Sequence, residues 1–209
     1  MLLDTIANAQ GLLTYVADQA VAPTDWATTF QLPRFDSGVG TLTQVKLTFS
    51  GEAWQMVRAE NKSNVGSNYT LDSSTDLTIA KSGGAQIFDL PFVLHQTGSL
   101  LAFDGTTDYA GASGVTFTQD LTSSAVYFDP SLANYVGTGM LGFDVAGTTL
   151  AVLTTSANSQ KGHSGSALAS LTIEYTYTPI PEPATYASIF GLSVLGYVTI
   201  RRRSIAQLD

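Results

Sequence analysis

The chain reads as an all-β protein, a two-sheet β-sandwich of jelly-roll-like character, followed by a single C-terminal transmembrane helix. Three observations predict this. Between residues 11 and 179 apolar and polar side chains alternate, β-branched and aromatic residues are enriched, and no 3.6-residue period is sustained. Clusters of Gly, Asn, Asp and Pro interrupt that stretch at the intervals usual for a sandwich. The end of the chain then departs from the pattern, because residues 184–200 contain no charge at all.

Taken in order, the clearest early strands are 26–32 and 41–50. In the second, Val45, Leu47 and Phe49 alternate with Lys46 and Thr48, so the apolar set faces a core and Gly51 closes the strand. Strands over 54–59 and 77–81 follow, then a more continuously apolar one over 86–95, where Pro91 demands an edge position or a bulge. Short strands are expected at 115–121 and 125–128. Two more, 140–145 and 149–154, flank a turn at Ala146-Gly147, and 167–178 is the longest, with Leu171, Ile173, Tyr175 and Tyr177 on one face. That makes about ten strands, with 156–166, rich in Ser and Gly, as a long loop or hairpin tip.

Composition narrows the function classes. Only 12% of the 209 residues are charged, and Thr, Ser and Gly supply the polarity, a profile closer to a secreted β protein than to a cytosolic enzyme. Residues 1–179 hold six Lys or Arg against fifteen Asp or Glu, a formal charge of −9, which argues against a nucleic-acid partner. The absence of cysteine removes thiolate zinc sites, thiol nucleophiles and iron-sulfur clusters. About 180 residues suit one domain. The division expected is a signal-peptide remnant at 1–9, an extracytoplasmic sandwich at 10–179 and a sorting segment at 180–209. Ala7-Asn8-Ala9 has the form of a signal-peptidase site with cleavage after Ala9, although no basic or long apolar stretch precedes it and a chance match is the alternative.

The tail has its own physics. As a helix, 184–200 would rise about 26 Å, just short of a hydrocarbon core of about 30 Å. Arg201, Arg202 and Arg203 follow at once, match the positive flank of a cytoplasmic boundary and leave the preceding chain on the far side. Pro181 and Pro183 keep the approach extended and Glu182 accessible. An ordinary anchor, or an apolar helix docked on the domain, would explain the apolar run but needs neither flank. The ordered set resembles the PEP-CTERM sorting signal of Gram-negative bacteria, with Ala184 where Ser or Thr often stands and six residues, 204–209, after the arginines. The resemblance implies an exosortase-type partner acting at Pro181-Glu182-Pro183. It further implies transient inner-membrane anchoring with the domain in the periplasm, and then the cell surface or extracellular matrix.

The body is similar to the choice-of-anchor E domain through Thr24-Asp25-Trp26, Leu32-Pro33-Arg34-Phe35-Asp36, Gly40-Thr41-Leu42-Thr43-Gln44-Val45, Phe103-Asp104-Gly105-Thr106-Thr107-Asp108-Tyr109-Ala110-Gly111, Tyr135-Val136-Gly137-Thr138-Gly139 and Thr172-Ile173-Glu174-Tyr175-Thr176-Tyr177-Thr178-Pro179. That resemblance implies a secreted bacterial β domain with no established catalysis. Together the two imply a non-enzymatic surface or matrix protein associated with exopolysaccharide or biofilm. A carbohydrate-binding or Ca²⁺-dependent adhesion module is the alternative, and a glycoside hydrolase comes third.

Candidate chemistry is sparse. Asp104 and Asp108, with Asp36 or Asp129, offer oxygens for Ca²⁺; the competing expectation is that they cap turns, which the spacing favours because it is neither an EF-hand nor a nonapeptide repeat. No other cofactor is indicated. Tyr109 and Tyr135 are candidate glycan contacts, whereas Trp26 and Trp54 lie in strands where burial is the default. His163 with Ser164 or Ser166 lacks a nucleophile-elbow motif, and His95 has no carboxylate near it in sequence. Glu52, Glu60 and Glu174 carry no local signature of a glycosidase pair.

Overall fold

The computed structural model describes residues 10–180 together with Val194, Leu195 and Tyr197. Eight strands make up most of it: β1 (Gly11–Pro23), β2 (Trp26–Pro33), β3 (Gly40–Asn61), β4 (Ser67–Lys81), β5 (Gln86–Leu100), β6 (Gly114–Phe128), β7 (Met140–Thr155) and β8 (Ser159–Pro179), with a 3-10 turn at Leu132–Tyr135. Sheet I has the order β1-β8-β3-β6 and sheet II the order β2-β7-β4-β5. The six ladders are antiparallel. Pairs β4·β5, β3·β6, β2·β7 and β1·β8 nest inside one another and fall alternately in the two sheets. The chain is therefore one long hairpin rolled over on itself, the winding of a jelly roll.

Of the expected tail, only the helical and exposed Val194, Leu195 and Tyr197 are described. The 1–9 remnant, Pro181-Glu182-Pro183, the rest of 184–200 and Arg201–Arg203 lie outside the described residues. Among the described residues no helix is long and apolar enough to cross a membrane.

The inward faces follow alternation. Val45, Leu47 and Phe49 from β3 and Leu171, Ile173 and Tyr175 from β8 are fully buried against Phe88, Leu90 and Phe92 of β5 and Phe143 and Val145 of β7. Pro91 sits in β5, at the edge of sheet II, where its missing N–H is tolerated.

Where the element boundaries differ from expectation, glycine is the usual reason. Gly51 does not end a strand; β3 runs straight through it, and a Cβ there would lie 2.1 Å from Leu77 Cδ1. Gly147 is likewise no turn, since β7 is continuous and a Cβ there would meet the Trp26 ring at 2.7 Å and Leu77 Cδ2 at 3.0 Å. One leucine from sheet II is thus seated between two glycines, one in each sheet, and each glycine marks a close approach. The expected loop over 156–166 shrinks to a turn at 156–158, because β8 begins at Ser159 and pairs with β3. β1 is the strand alternation did not announce. It carries Leu12 and Val16 on its exposed face as well as Leu13, Tyr15 and Ala17 against the core, so its two faces look alike in sequence.

A polar belt divides the interior. Between the large cluster and a smaller one built on Val57, Ala59, Leu71, Leu94 and Leu100 lie Gln55, Ser73 and Thr75. Gln55 Nε2 donates to the Phe92 carbonyl at 2.7 Å, and the Thr75 and Thr149 hydroxyls meet at 2.7 Å. The molecule also has two distinct ends. Gly11 pairs with Tyr177, and Ile180 N donates to the Val39 carbonyl at 3.3 Å, so the described chain enters and leaves at the same end. The loop 101–113 occupies the opposite end, beside the end of β3 and the start of β6.

Candidate functional site

At the end far from Gly11 and Ile180, β3 finishes with two fully buried polar residues, Glu60 and Asn61, and both hold loops. Glu60 accepts the Tyr109 N–H at 2.7 Å and the Ser113 hydroxyl at 2.6 Å. Asn61 Nδ2 donates to the carbonyls of Val65 and Leu101, each at 2.7 Å. The loop so fixed carries Asp104, Asp108 and Tyr109. Asp104 accepts the Thr106 N–H at 2.9 Å and Asp108 the Ala110 N–H at 3.0 Å, so both close Asx turns. Asp36 does the same for Gly38 at 2.8 Å, and Asp129 is committed elsewhere. These four carboxylates do not converge, and no group of three or more His, Asp or Glu suited to a metal occurs among the described residues. Tyr109 has φ +56°, uncommon for a tyrosine, and its ring lies 4.2 Å from the Arg58 guanidinium carbon.

The glycan role expected for Tyr135 is overturned by its position. It is fully buried, packs edge-on against Tyr175 and donates its hydroxyl to Asp129 at 2.7 Å, so no ring face is open to a sugar. Asp129 also accepts Lys81 Nζ at 2.7 Å and the Ser131 N–H at 2.8 Å. Burial alone would raise the Asp129 carboxyl, but the bonds from Lys81, Tyr135 and Ser131, with the Lys81 charge, outweigh it and hold the group below the usual carboxylate range. Burial and the adjoining Asp129 carboxylate push the Tyr135 hydroxyl well above its ordinary value. A shallow depression of about 300 Å³ opens beside this cluster, between Tyr127 and Ile87.

The remaining enzyme candidates are separated by strand geometry. His163 pairs with Val57 on β3 and shares its side of sheet I, whereas Ser164 and Ser166 fall on the other side. His95 is bonded to Asp72 across β4 and β5, both exposed, a partner that only the sheet register reveals. Glu174 pairs with Lys46 at 2.5 Å, six β3 positions from Glu52, or about 20 Å along the strand, and Glu60 lies further on. Retaining and inverting glycosidases need carboxylates closer than these three glutamates are, which leaves Glu52 and Asp120, diagonal neighbours across the β3·β6 ladder, as a nearby pair on one face of sheet I.

Sheet I has a more organised surface than any of these. Its outer face is crossed by rows set by register: Thr118, Met56 and Ser164; Asp120, Trp54 and Ser166; Thr122, Glu52 and Leu168; Ser124, Ser50 and Ser170. Trp54 is therefore not core, as its place in a strand suggested, but half-buried on the outside. Two adjoining depressions follow β3 there, one of about 440 Å³ floored by Trp54 and Met56 and one of about 480 Å³ around Ser50 and Glu52. The signal was present in the sequence. Counting alternation onward from Val45, Leu47 and Phe49 puts Ser50, Glu52, Trp54 and Met56 of β3 outside, but only if the strand is continued through Gly51. Sheet II has a depression of about 430 Å³ near Asp144, lined by Ala, Thr and Val without an aromatic ring. Hydroxyls of Ser82 and Thr29 donate to Asp144 there and lower its carboxyl.

No known family model matches the chain, and no curated protein matches it. Among solved structures, the VP2 subviral particle of infectious bursal disease virus aligns at 14% identity with a TM-score of 0.22, covering 80% of this chain and 38% of that one. The particle of the Gx strain of the same virus aligns at 11% identity with a TM-score of 0.21, covering 82% and 37%. The chain spans about two fifths of the length of these capsid proteins.

Proposed function

We propose that this chain is a non-enzymatic, exported protein of the cell surface or extracellular matrix, sorted by an exosortase-type enzyme and associated with exopolysaccharide. The observation that carries the reading is the order Pro181-Glu182-Pro183, then 184–200 without a charge, then Arg201-Arg202-Arg203. An uncharged helix of that length enters a bilayer, the arginines stop it at the cytoplasmic face, and the proline pair holds Glu182 extended at the opposite surface. The fold supports this division. β8 ends at Pro179, immediately before the motif, and both cores are assembled from β1 to β8. β1 pairs with β8 beside that exit, so a leader before residue 10 and a membrane segment after 180 would lie at one end of the sandwich.

The test is made in cells that produce the protein, following its mature mass and its release. Glu182→Gln is expected to leave an unprocessed chain in the inner-membrane fraction. An unchanged mature mass together with unchanged release sinks the sorting mechanism. A second reading, a carbohydrate-binding adhesion module, has in its favour the Trp54 depression on sheet I. Its calcium-dependent form draws less from the loop 101–113, where Asp104 and Asp108 each already close a turn.

A further inference from the structure

We propose that the outer face of sheet I is a binding groove for a linear, uncharged polysaccharide laid along β3, with Trp54 as its stacking platform and Asp120, Glu52 and Ser166 as hydrogen-bonding groups. β3 buries Val45, Leu47, Phe49, Ala53 and Val57 on its inner side, and Trp54 stands on the other beside Met56 and Leu168 among Ser, Thr and acidic neighbours. A large ring on the solvent side forgoes part of the burial it would gain inside. What it offers there is an apolar plate inside a polar frame, the chemistry that accepts the CH face of a sugar ring.

The carboxylates around Trp54 also stand apart from the rest. Residues 10–180 contain fourteen. Ten accept a hydrogen bond or ion pair: Asp25, Asp36, Asp72, Asp76 and Asp104, and Asp108, Asp129, Asp144, Glu60 and Glu174. Asp18, Asp89, Glu52 and Asp120 have no such partner among the described residues. Two of these four flank Trp54, Asp120 directly across the β3·β6 ladder and Glu52 two positions along β3. Apart from Asp18 on β1 and Asp89 on β5, the other carboxylates among the described residues are spent on turns and pairs. Beside Trp54 they are left as acceptors for donors from outside, and sugar hydroxyls are such donors.

The charge and shape of the groove select the ligand class. Its centre holds two carboxylates, while Lys46 is tied to Glu174 and Arg58 lies over Tyr109. Anionic polymers would be repelled. The two depressions follow one another along β3 from Met56 to Ser50, about 20 Å of strand, and each spans three strands, so an extended chain fits better than a single sugar. A second copy of this protein is a poorer occupant, because the exposed large apolar residues of this sheet, Leu12, Val16, Val21, Val126, Tyr127 and Phe128, lie on its two edge strands and not on β3 or β8.

This inference rests on the exopolysaccharide part of the proposed function and is independent of the sorting part. The full chain, solubilised in mild detergent, is run in affinity electrophoresis through gels containing dextran, galactomannan or xyloglucan as neutral probes and alginate as an acidic one. Retardation is expected in at least one neutral gel and not in alginate. Trp54→Ala is expected to weaken it about ten-fold, the scale of one lost aromatic contact. Trp54→Phe should weaken it less, and Asp120→Asn, which keeps the shape, should weaken it measurably with an unchanged melting temperature. Undiminished retardation in Trp54→Ala and Asp120→Asn overturns the groove but leaves the association with polysaccharide standing. Failure of the wild type in every gel overturns both. Retardation by alginate alone overturns the assignment of a neutral ligand, and a doubled mass in which Trp54 is protected makes this face an interface between copies instead.

Discussion

Two residues show how far a single side chain, or its absence, governs this fold. Gly51 leaves room for Leu77, and a methyl group at that point would sit inside the leucine, 2.1 Å from Cδ1. Gly51→Ala is expected to lower stability by about 1–3 kcal/mol through overpacking, measured by urea unfolding. A stability equal to wild type would show that Leu77 has space to turn aside. Asp129 acts through charge. Its folded carboxyl is held below the unfolded value of about 3.9, so it adds stability that is present above that pH and is lost as pH falls through the folded value. Asp129→Asn removes the partner of a half-buried Lys81 and is expected to cost about 2 kcal/mol at pH 7, with the gap to wild type closing below about pH 4. Thermal unfolding between pH 2.5 and 7 checks this, and a gap that does not change with pH would rule out the carboxylate as its source.

At the scale of elements, the loop 101–113 is the longest connection, and its order comes from β3. Glu60 closes two of its donors inside a site without water access, while Asn61 closes the carbonyl of Leu101. Glu60→Ala leaves the Tyr109 N–H and the Ser113 hydroxyl unpaired and is expected to cost about 2–3 kcal/mol. Amide exchange should then accelerate across 103–113 with little change at the centre of β3 and β8. Equal acceleration throughout would mean that Glu60 supports the whole sandwich and not this loop. That role was invisible in sequence because Glu60 lies about fifty residues from both Tyr109 and Ser113. The turn caps Asp104 and Asp108, by contrast, act on backbone two residues on, and Asp104-Gly105 with Asp108 at the next bend was enough to suggest them.

Across the whole molecule, nested pairing decides which surfaces exist. β1 and β8, from opposite ends of the described chain, become neighbours, and β8 is gripped between β1 and β3. Because both apolar clusters come from within 10–180, removing 180–209 is expected to leave the melting temperature of the sandwich unchanged while changing where cells deliver it. A large drop in melting temperature would instead make the tail part of the fold. The same nesting lays β6, β3 and β8 side by side, so Asp120, Trp54 and Ser166, widely spaced in the chain, form one row.

Sequence by itself determined what depends on near neighbours. Alternation marked the buried faces of β3 and β8 and Pro91 pointed to an edge, while the reading proposed for the tail draws only on thirty consecutive residues and on nothing in the fold. Only the tertiary structure decided what depends on distant chain. Gly51 and Gly147 resemble strand ends until Leu77 is brought between them, and Tyr135 resembles a surface ring until Tyr175 and Asp129 enclose it. Trp54 lies between these cases. Its side was encoded by a parity that runs unbroken through Gly51, but a glycine inside a strand and a glycine ending one look the same until the opposing sheet shows which atom needs the space.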